Sequence, residues 1–342
     1  MEDRFTTLRS DSTFTDEALA AYFQLVIDTM KAVCAPVRDE AIRDLLENSA
    51  KLHPAQIFQR ILRLLELMQY DAINFQIQSI RPKLLQYGPE YERNAFRRHL
   101  QDGSVSVQQT TLWLKAAYEK VQTESSKRDP EHVNHPSQIV QFETVYLEAV
   151  VDLLTKSKAM TLPETFRWDL QRVLDMRRSY KDVSTAAAIL TLSRTVFPRA
   201  MRDEARVKQA LSVLFPMLSV PVRDKKLLSE KIAQAIVESV GSDCTLEEKQ
   251  QRVGVIQGFT EKILKDGDDP VYKVMERRIQ QAILKQLSGS APLVSDRSGL
   301  GIVAGKLQPL LAQVERLVRW NRSVYSPWYD EILRHVSSGD AK

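Results

Sequence analysis

Apolar residues recur along this chain at intervals of three and four, and strand-like alternation is evident nowhere. The pattern predicts an all-α protein. Its strongest segment is 54–80, where Ile57, Ile61, Leu64, Met68, Ala72 and Phe75 form one stripe. Phe58, Leu62, Leu65 and Ile73 widen that stripe until little of the helix could face water, so it reads as a central core helix. It is expected to stop at Arg81, because Pro82 pushes its predecessor out of the α region. A first helix, capped by Thr13 or Thr15, reaches about Val33 with Ala18, Tyr22, Leu25, Val26 and Met30 in register. Pro36 opens a second over 37–48. Further helices are predicted at about 89–100, 106–121, 137–156, 163–179, 183–197, 200–215, 222–240, 245–265, 269–287, 300–320 and 326–336. The expected architecture is an irregular bundle of a dozen or more helices.

Residues 1–12 read as a loose tail, 13–337 as one helical domain and 338–342 as a disordered tail. Within the domain, a loop at 122–137 containing Pro130 and Pro136 separates an N-terminal half from a C-terminal half over 138–337. Ser288–Gly299 reads as another loop. Pro36-Val37-Arg38-Asp39 recurs as Pro221-Val222-Arg223-Asp224. With no fixed period of repeats in the chain, the echo reads as two similar helix starts.

Composition narrows the classes. Hydrophobic residues make up 43% of the 342 and charged residues 27%, as in ordinary globular chains, and the 11 glycines are few for a turn-rich β architecture. A net charge of +4 argues against nucleic-acid binding. Cys34 and Cys244 stand alone, which excludes a disulfide framework and a four-thiolate metal site and suits a reducing compartment. The N-terminus lacks the apolar core of a signal peptide, and no apolar run approaches the roughly 20 residues that span a bilayer. The expected location is the cytoplasm, with the nucleus as a further one.

Candidate chemistry thins out on inspection. Gly299-Leu300-Gly301-Ile302-Val303-Ala304-Gly305-Lys306 departs from a phosphate loop at Leu300 and Leu307, and no strand precedes it. His132 and His135 have no third ligand nearby. Asp266, Asp268 and Asp269 lack the downstream glycine and glutamate of a calcium loop and are better suited to capping a helix at Pro270. No nucleophile elbow occurs, and Cys34 reads as a small core residue. No catalytic residue, metal or cofactor is expected. Three basic groups (Arg93, Arg97, Arg98; Arg172, Arg177, Arg178, Lys181; Arg199, Arg202, Arg206, Lys208) are each diluted by acidic neighbours and read as solvated faces.

One polar set resists that reading. Asp71 and Asn74 interrupt the apolar helix and Arg81 ends it, Arg38 and Asp39 open the helix before it, and Tyr91, Glu92 and Arg93 follow shortly after. Charges at such places need partners, since an unpaired buried charge costs several kcal/mol. These residues either satisfy one another internally or line a groove. The reading adopted is an internal network, with Asp39 and Arg81 mainly structural and Tyr91 and Arg93 nearer the surface as partner contacts.

The same positions carry a family resemblance. Cys34-Ala35-Pro36-Val37-Arg38-Asp39-Glu40, Asp71-Ala72-Ile73-Asn74-Phe75, Ile80-Arg81-Pro82, and Glu90-Tyr91-Glu92-Arg93 with Phe96 resemble signature segments of the T-complex protein eleven family. Further segments follow in family order: Pro163 to Asp169, Pro270-Val271-Tyr272 with Arg277-Arg278, and Asn321 to Tyr329. The resemblance runs from about residue 20 to 335. It departs from the family at Asn94-Ala95, where relatives often carry two lysines. The chain also starts almost at the resembling region, without the long polar extension of fungal relatives, as a trimmed chain would. The resemblance implies an all-helical domain without enzymatic activity. It links mammalian members to sperm function and a yeast relative to suppression of cyclic-AMP-dependent protein kinase deficiency. The expected role is therefore a binding or adaptor module in that signalling pathway, acting on protein partners. Rival expectations are a structural or trafficking adaptor, and an enzyme or small-ligand binder with a pocket of Arg38, Asp39, Asn74, Arg81 and Glu92.

Overall fold

The computed structural model describes residues 16–128, 141–156, 161–220, 224–241, 244–266, 269–290, 294 and 299–338. Helical segments account for 89% of these residues, and no strand occurs among them. The helices are α1 (Asp16–Val33), α2 (Asp39–Asn48), α3 (Pro54–Gln101), α4 (Gln108–Arg128), α5 (Phe142–Thr155), α6 (Leu170–Val196), α7 (Glu204–Ser219), α8 (Lys225–Val240), α9 (Leu246–Asp266), α10 (Pro270–Leu287) and α11 (Ala304–Ser337). The chain divides into two compact units, Met1–Gly88 and Pro89–Lys342, and α3 contributes residues to both. The expected loop at 122–137 is helical as far as Arg128. Its remainder, His132 and His135, the Pro221–Arg223 echo, Asp268 and the 1–12 tail lie outside the described residues.

The first unit closes a small core from three helices: Phe23, Ile27 and Met30 of α1, Ile42 and Leu45 of α2, and Ile57, Ile61 and Leu64 of α3. Residues this apolar at helical spacing have no better refuge than each other. The expectation that 54–80 forms a central core helix is corrected here. Only one face of its first three turns is buried, and every residue from 72 to 87 is exposed. The helix also runs through Pro82 and Pro89 to Gln101 instead of ending at Arg81. Pro82 removes the donor for the Gln78 carbonyl. Gln78 stands in the exposed stretch, where water can replace that bond. Leu64→Ala is expected to lower the stability of the first unit by about 2 kcal/mol, the lower end for truncating a buried leucine, because Leu64 lies at the core's edge. Urea unfolding checks this. A loss under about half a kcal/mol would place Leu64 among ordinary surface residues.

The central helix of the molecule is α6, in the second unit. Every residue from Asp182 to Leu190 is buried, and Ala186, Ala187, Ala188, Ile189 and Leu190 are fully so. Small side chains here let neighbouring helices approach on all sides, and α6 packs against α5, α7, α9, α10 and α11. The predicted gap between 179 and 183 does not occur. Aspartates cap the surrounding helices: Asp203 on α7, Asp224 on α8 and Asp269 on α10, each accepting from backbone amides in the first turn. The amides at the start of α4 are satisfied from a distance. Glu164 accepts from the Gln109 and Thr110 amides at 2.9 and 2.8 Å and from the Thr110 hydroxyl at 2.7 Å. Burial raises this carboxyl's pKa, but those bonds to its charged form outweigh it and leave the pKa below its ordinary value.

The C-terminal helix joins two segments expected to be separate. α11 continues through Pro327, which cannot donate to the Ser323 carbonyl four residues earlier. Arg93 supplies the missing donor: its guanidinium hydrogen-bonds the Ser323 carbonyl and also, at 3.2 Å, the Val324 carbonyl. Nearby, Trp320 donates its indole N–H to Glu92 at 3.2 Å, and Phe96 meets Tyr325 and Trp328 edge to face at 4.9 and 4.8 Å. Deeper in, Asn321 donates to the Thr165 carbonyl at 2.8 Å and accepts from the hydroxyls of Tyr146 at 3.0 Å and Tyr329 at 2.6 Å. Burial pushes both tyrosines well above their ordinary pKa, so they remain neutral donors.

Candidate docking interface

Within the first unit, Arg38 forms a bidentate pair with Asp71, Nε to Oδ2 at 2.8 Å and Nη2 to Oδ1 at 3.1 Å. That pair ties the turn before α2 to α3, and the Arg38 guanidinium holds the Asp71 carboxyl below its ordinary pKa. Asp39 accepts from the Cys34 thiol at 3.3 Å. Asn74 and Arg81 are exposed on α3 and make no hydrogen bond or ion pair among the described residues. Water therefore solvates them where an internal network was expected.

In the second unit, Glu92 and Arg93 serve α11 as described, and Tyr91 is exposed at 71%. Arg93, expected as a partner contact, is occupied by backbone carbonyls. The residues thus form local pairs in their own units: Arg38 with Asp71, Cys34 with Asp39, Glu92 with Trp320, and Arg93 with the α11 backbone. The basic groups are likewise engaged locally in part. Arg172 pairs with Asp169 at 2.7 Å, Lys208 with Glu204 at 2.7 Å and Arg206 with Asp203 at 3.6 Å.

A second face of α3, of which sequence reasoning assigned Phe58, Leu62, Leu65 and Ile73 to the core, stands exposed. Phe58, Leu62, Leu65, Ile73, Ile77, Ile80, Leu84 and Tyr87 follow one another at helical intervals on the face adjoining Ile57, Ile61 and Leu64, and each is 42–59% exposed. At 1.5 Å per residue the stripe is roughly 44 Å long. Covering each half-exposed side chain is worth about 1 kcal/mol, so an apolar helix face laid along it would bind. Arg63, Arg81 and Lys83 flank the stripe, against Glu66 alone among acidic residues close beside it. A second copy of this face would bring like charges together, whereas a partner helix with acidic flanks would complement them. The signal for this was present in the sequence as an apolar stripe too wide for one packed face.

The described residues contain no helix long and apolar enough to cross a membrane. The family model for T-complex protein 11 matches residues 17–334. The chain is 25% identical over 333 residues to the T-complex protein 11 homolog of Rattus norvegicus, covering 90% of this chain and 57% of that protein. It is 26% identical over 341 residues to the human T-complex protein 11-like X-linked protein 1, covering 91% of this chain and 65% of the relative. A more distant similarity, 20% over 191 residues, relates it to Protein SOK1 of Saccharomyces cerevisiae and spans 54% of this chain and 20% of that protein. The chain therefore spans about three-fifths of the length of the mammalian relatives it matches. No solved structure matches.

Proposed function

Because the chain belongs to the T-complex protein 11 family, we propose that it is a non-enzymatic helical docking module that regulates cyclic-AMP-dependent protein kinase signalling through protein–protein contacts, with the exposed apolar stripe of α3 as its docking face. The stripe carries this reading: eight large apolar side chains share one face with no covering element among the described residues of their own unit. Exposed apolar patches of this extent mark interaction sites. The similarity to Protein SOK1 supports a role in signalling, and the resemblance read from the sequence supplies the kinase pathway. The occupant that fits is an amphipathic partner helix with acidic flanks, set between Arg63 towards one end and Arg81 and Lys83 towards the other.

The test compares the wild type with an Ile77→Asp/Leu84→Asp double variant in affinity capture followed by mass spectrometry. Both positions are exposed, so the variant is expected to melt like the wild type. Kinase-pathway proteins should be recovered with the wild type and fall about tenfold or more with the variant, and rising salt should weaken capture. An unchanged set of captured proteins, or a set without any component of that pathway, would refute the proposal. A concentration-dependent dimer abolished by the variant would assign the stripe to self-association instead.

A further inference from the structure

The second unit contains a cavity of about 710 Å³ bounded by the ends of α5, α7 and α9, the start of α8, and the sides of α6 and α10. Its size lies within the range of small-molecule sites. Six cations ring it: Lys156, Arg177, Arg178, Lys181, Lys225 and Lys265. Lys156 pairs with Asp152 at 2.6 Å and Lys265 with Glu261 at 3.6 Å. The others have no carboxylate within salt-bridge distance among the described residues. Arg177 is fixed by the carbonyls of Leu153 and Lys156 at 2.8 and 3.0 Å, which orients its guanidinium without neutralising it. Among the described residues, the Lys225 ammonium meets only the Lys265 carbonyl, at 3.4 Å. Arg178 and Lys181 lie close enough for their charges to act on Asp182, yet make no hydrogen bond among the described residues.

The wall differs from the rim. Asp182 is 92% buried, yet among the described residues its carboxyl accepts only one hydrogen bond, a long one of 3.4 Å from the Ser219 hydroxyl. Glu276 and Thr185 line the same cavity, both within hydrogen-bonding reach of the Tyr272 hydroxyl. A buried carboxylate with spare acceptor capacity is costly unless something donates to it. The rings of Tyr180 and Tyr272 are 3% and 7% exposed, so neither offers a face on which a nucleobase could stack. Hydroxyl donors on a compact ligand would satisfy the wall, and phosphate groups would satisfy the rim.

We propose that this cavity binds a phosphorylated polyol, its phosphates held by Arg178, Lys181 and Lys225 and its hydroxyls donating to Asp182 and Glu276. The proposal stands apart from the α3 docking surface, since all its residues lie in the second unit. The same chemistry is presented by a soluble inositol phosphate and by a phosphoinositide headgroup.

Calorimetric titration of the full chain with inositol 1,4,5-trisphosphate near physiological salt should show saturable, one-to-one binding. Arg178→Gln/Lys181→Gln should weaken it at least about tenfold. Asp182→Asn separates polyol recognition from simple charge attraction. Loss of a negative charge would tighten binding of any anion, whereas loss of a hydroxyl acceptor should weaken the polyol several-fold. Co-sedimentation with vesicles containing phosphatidylinositol 4,5-bisphosphate tells the sources apart. Binding lost in the double variant points to a headgroup, and binding of the soluble ligand alone points to a free metabolite, and both support the proposal. It is overturned by absence of saturable binding, by inorganic phosphate or ATP binding as tightly, or by Asp182→Asn tightening the complex. Circular dichroism melting of each variant shows that the comparison is made on folded protein.

Discussion

Asn321→Ala is expected to lower the stability of the second unit by about 3–5 kcal/mol, the largest loss foreseen for a polar substitution in this chain. Asn321 is 1% exposed and unites three elements through the Thr165 carbonyl and the hydroxyls of Tyr146 and Tyr329. Truncation leaves the buried Thr165 carbonyl without its donor and takes from both hydroxyls their shorter acceptor, Tyr146 keeping only a long bond to the Val318 carbonyl at 3.4 Å, at about 1–3 kcal/mol for each weakened or orphaned group. Tyr146 and Tyr329 cannot relieve this by rotating outward, because both rings pack against Trp113 at 6.1 Å. Asn321→Leu should fare no better, since it restores volume and not hydrogen bonds. Urea unfolding monitored by circular dichroism provides the measurement. A loss under about 1 kcal/mol would mean that water reaches these groups and that the network is not what holds α11 in place.

The second large effect is expected at Arg93. Arg93→Ala should cost about 3 kcal/mol, because it removes two charge-assisted hydrogen bonds, of which one answers a carbonyl that Pro327 leaves without a helical donor. Arg93→Lys should recover less than half, as an ammonium cannot span two successive carbonyls as the guanidinium fork does. The diagnostic experiment is a double-mutant cycle. Pro327→Ala restores the missing backbone N–H, so in the Arg93→Ala background it should return at least about 1 kcal/mol. Additive effects at the two positions would show that Arg93 acts independently of the proline. Loss of partner capture by Arg93→Ala without any change in melting would make it a binding residue.

The sequence was most informative where a residue's neighbours along the helix decide its fate. Helical periodicity and scarce glycine identify the all-α class, and Asp269 caps α10 as its position before Pro270 suggests. Proline misled the segmentation. Pro82 interrupts nothing because it lies in an exposed stretch, and Pro327 interrupts nothing because Arg93, more than 200 residues away, compensates for it. Hydrophobicity misled the search for the centre. Residues 54–80 of α3 are rich in large apolar side chains, but one face of them lies outside the unit's own core. Sequence cannot separate burial by the same chain from burial by a partner. The true central helix was disguised by small, weakly hydrophobic residues, Ser184 to Ala188, whose value lies in letting other helices approach. The polar set around Arg38 and Asp71 was legible as residues in need of partners, because Asp71 interrupts an apolar helix, but which residue meets which was not. The cavity was not, since Asp182, Lys225 and Glu276 lie on three different helices and nothing local links them.

The bonds from Glu92 and Arg93 to α11 also constrain the order of events during synthesis. They join positions some 230 residues apart, so on a ribosome neither can form until Trp320 and Val324 have emerged. The first unit draws its core from residues 23 to 64 and can condense early. The second must wait with Phe96 and Trp113 uncovered until Tyr325, Trp328 and Tyr329 arrive. A chain truncated before Asn321 would keep its first unit and present an open aromatic surface in the second, a species that chaperones or proteases would be expected to clear.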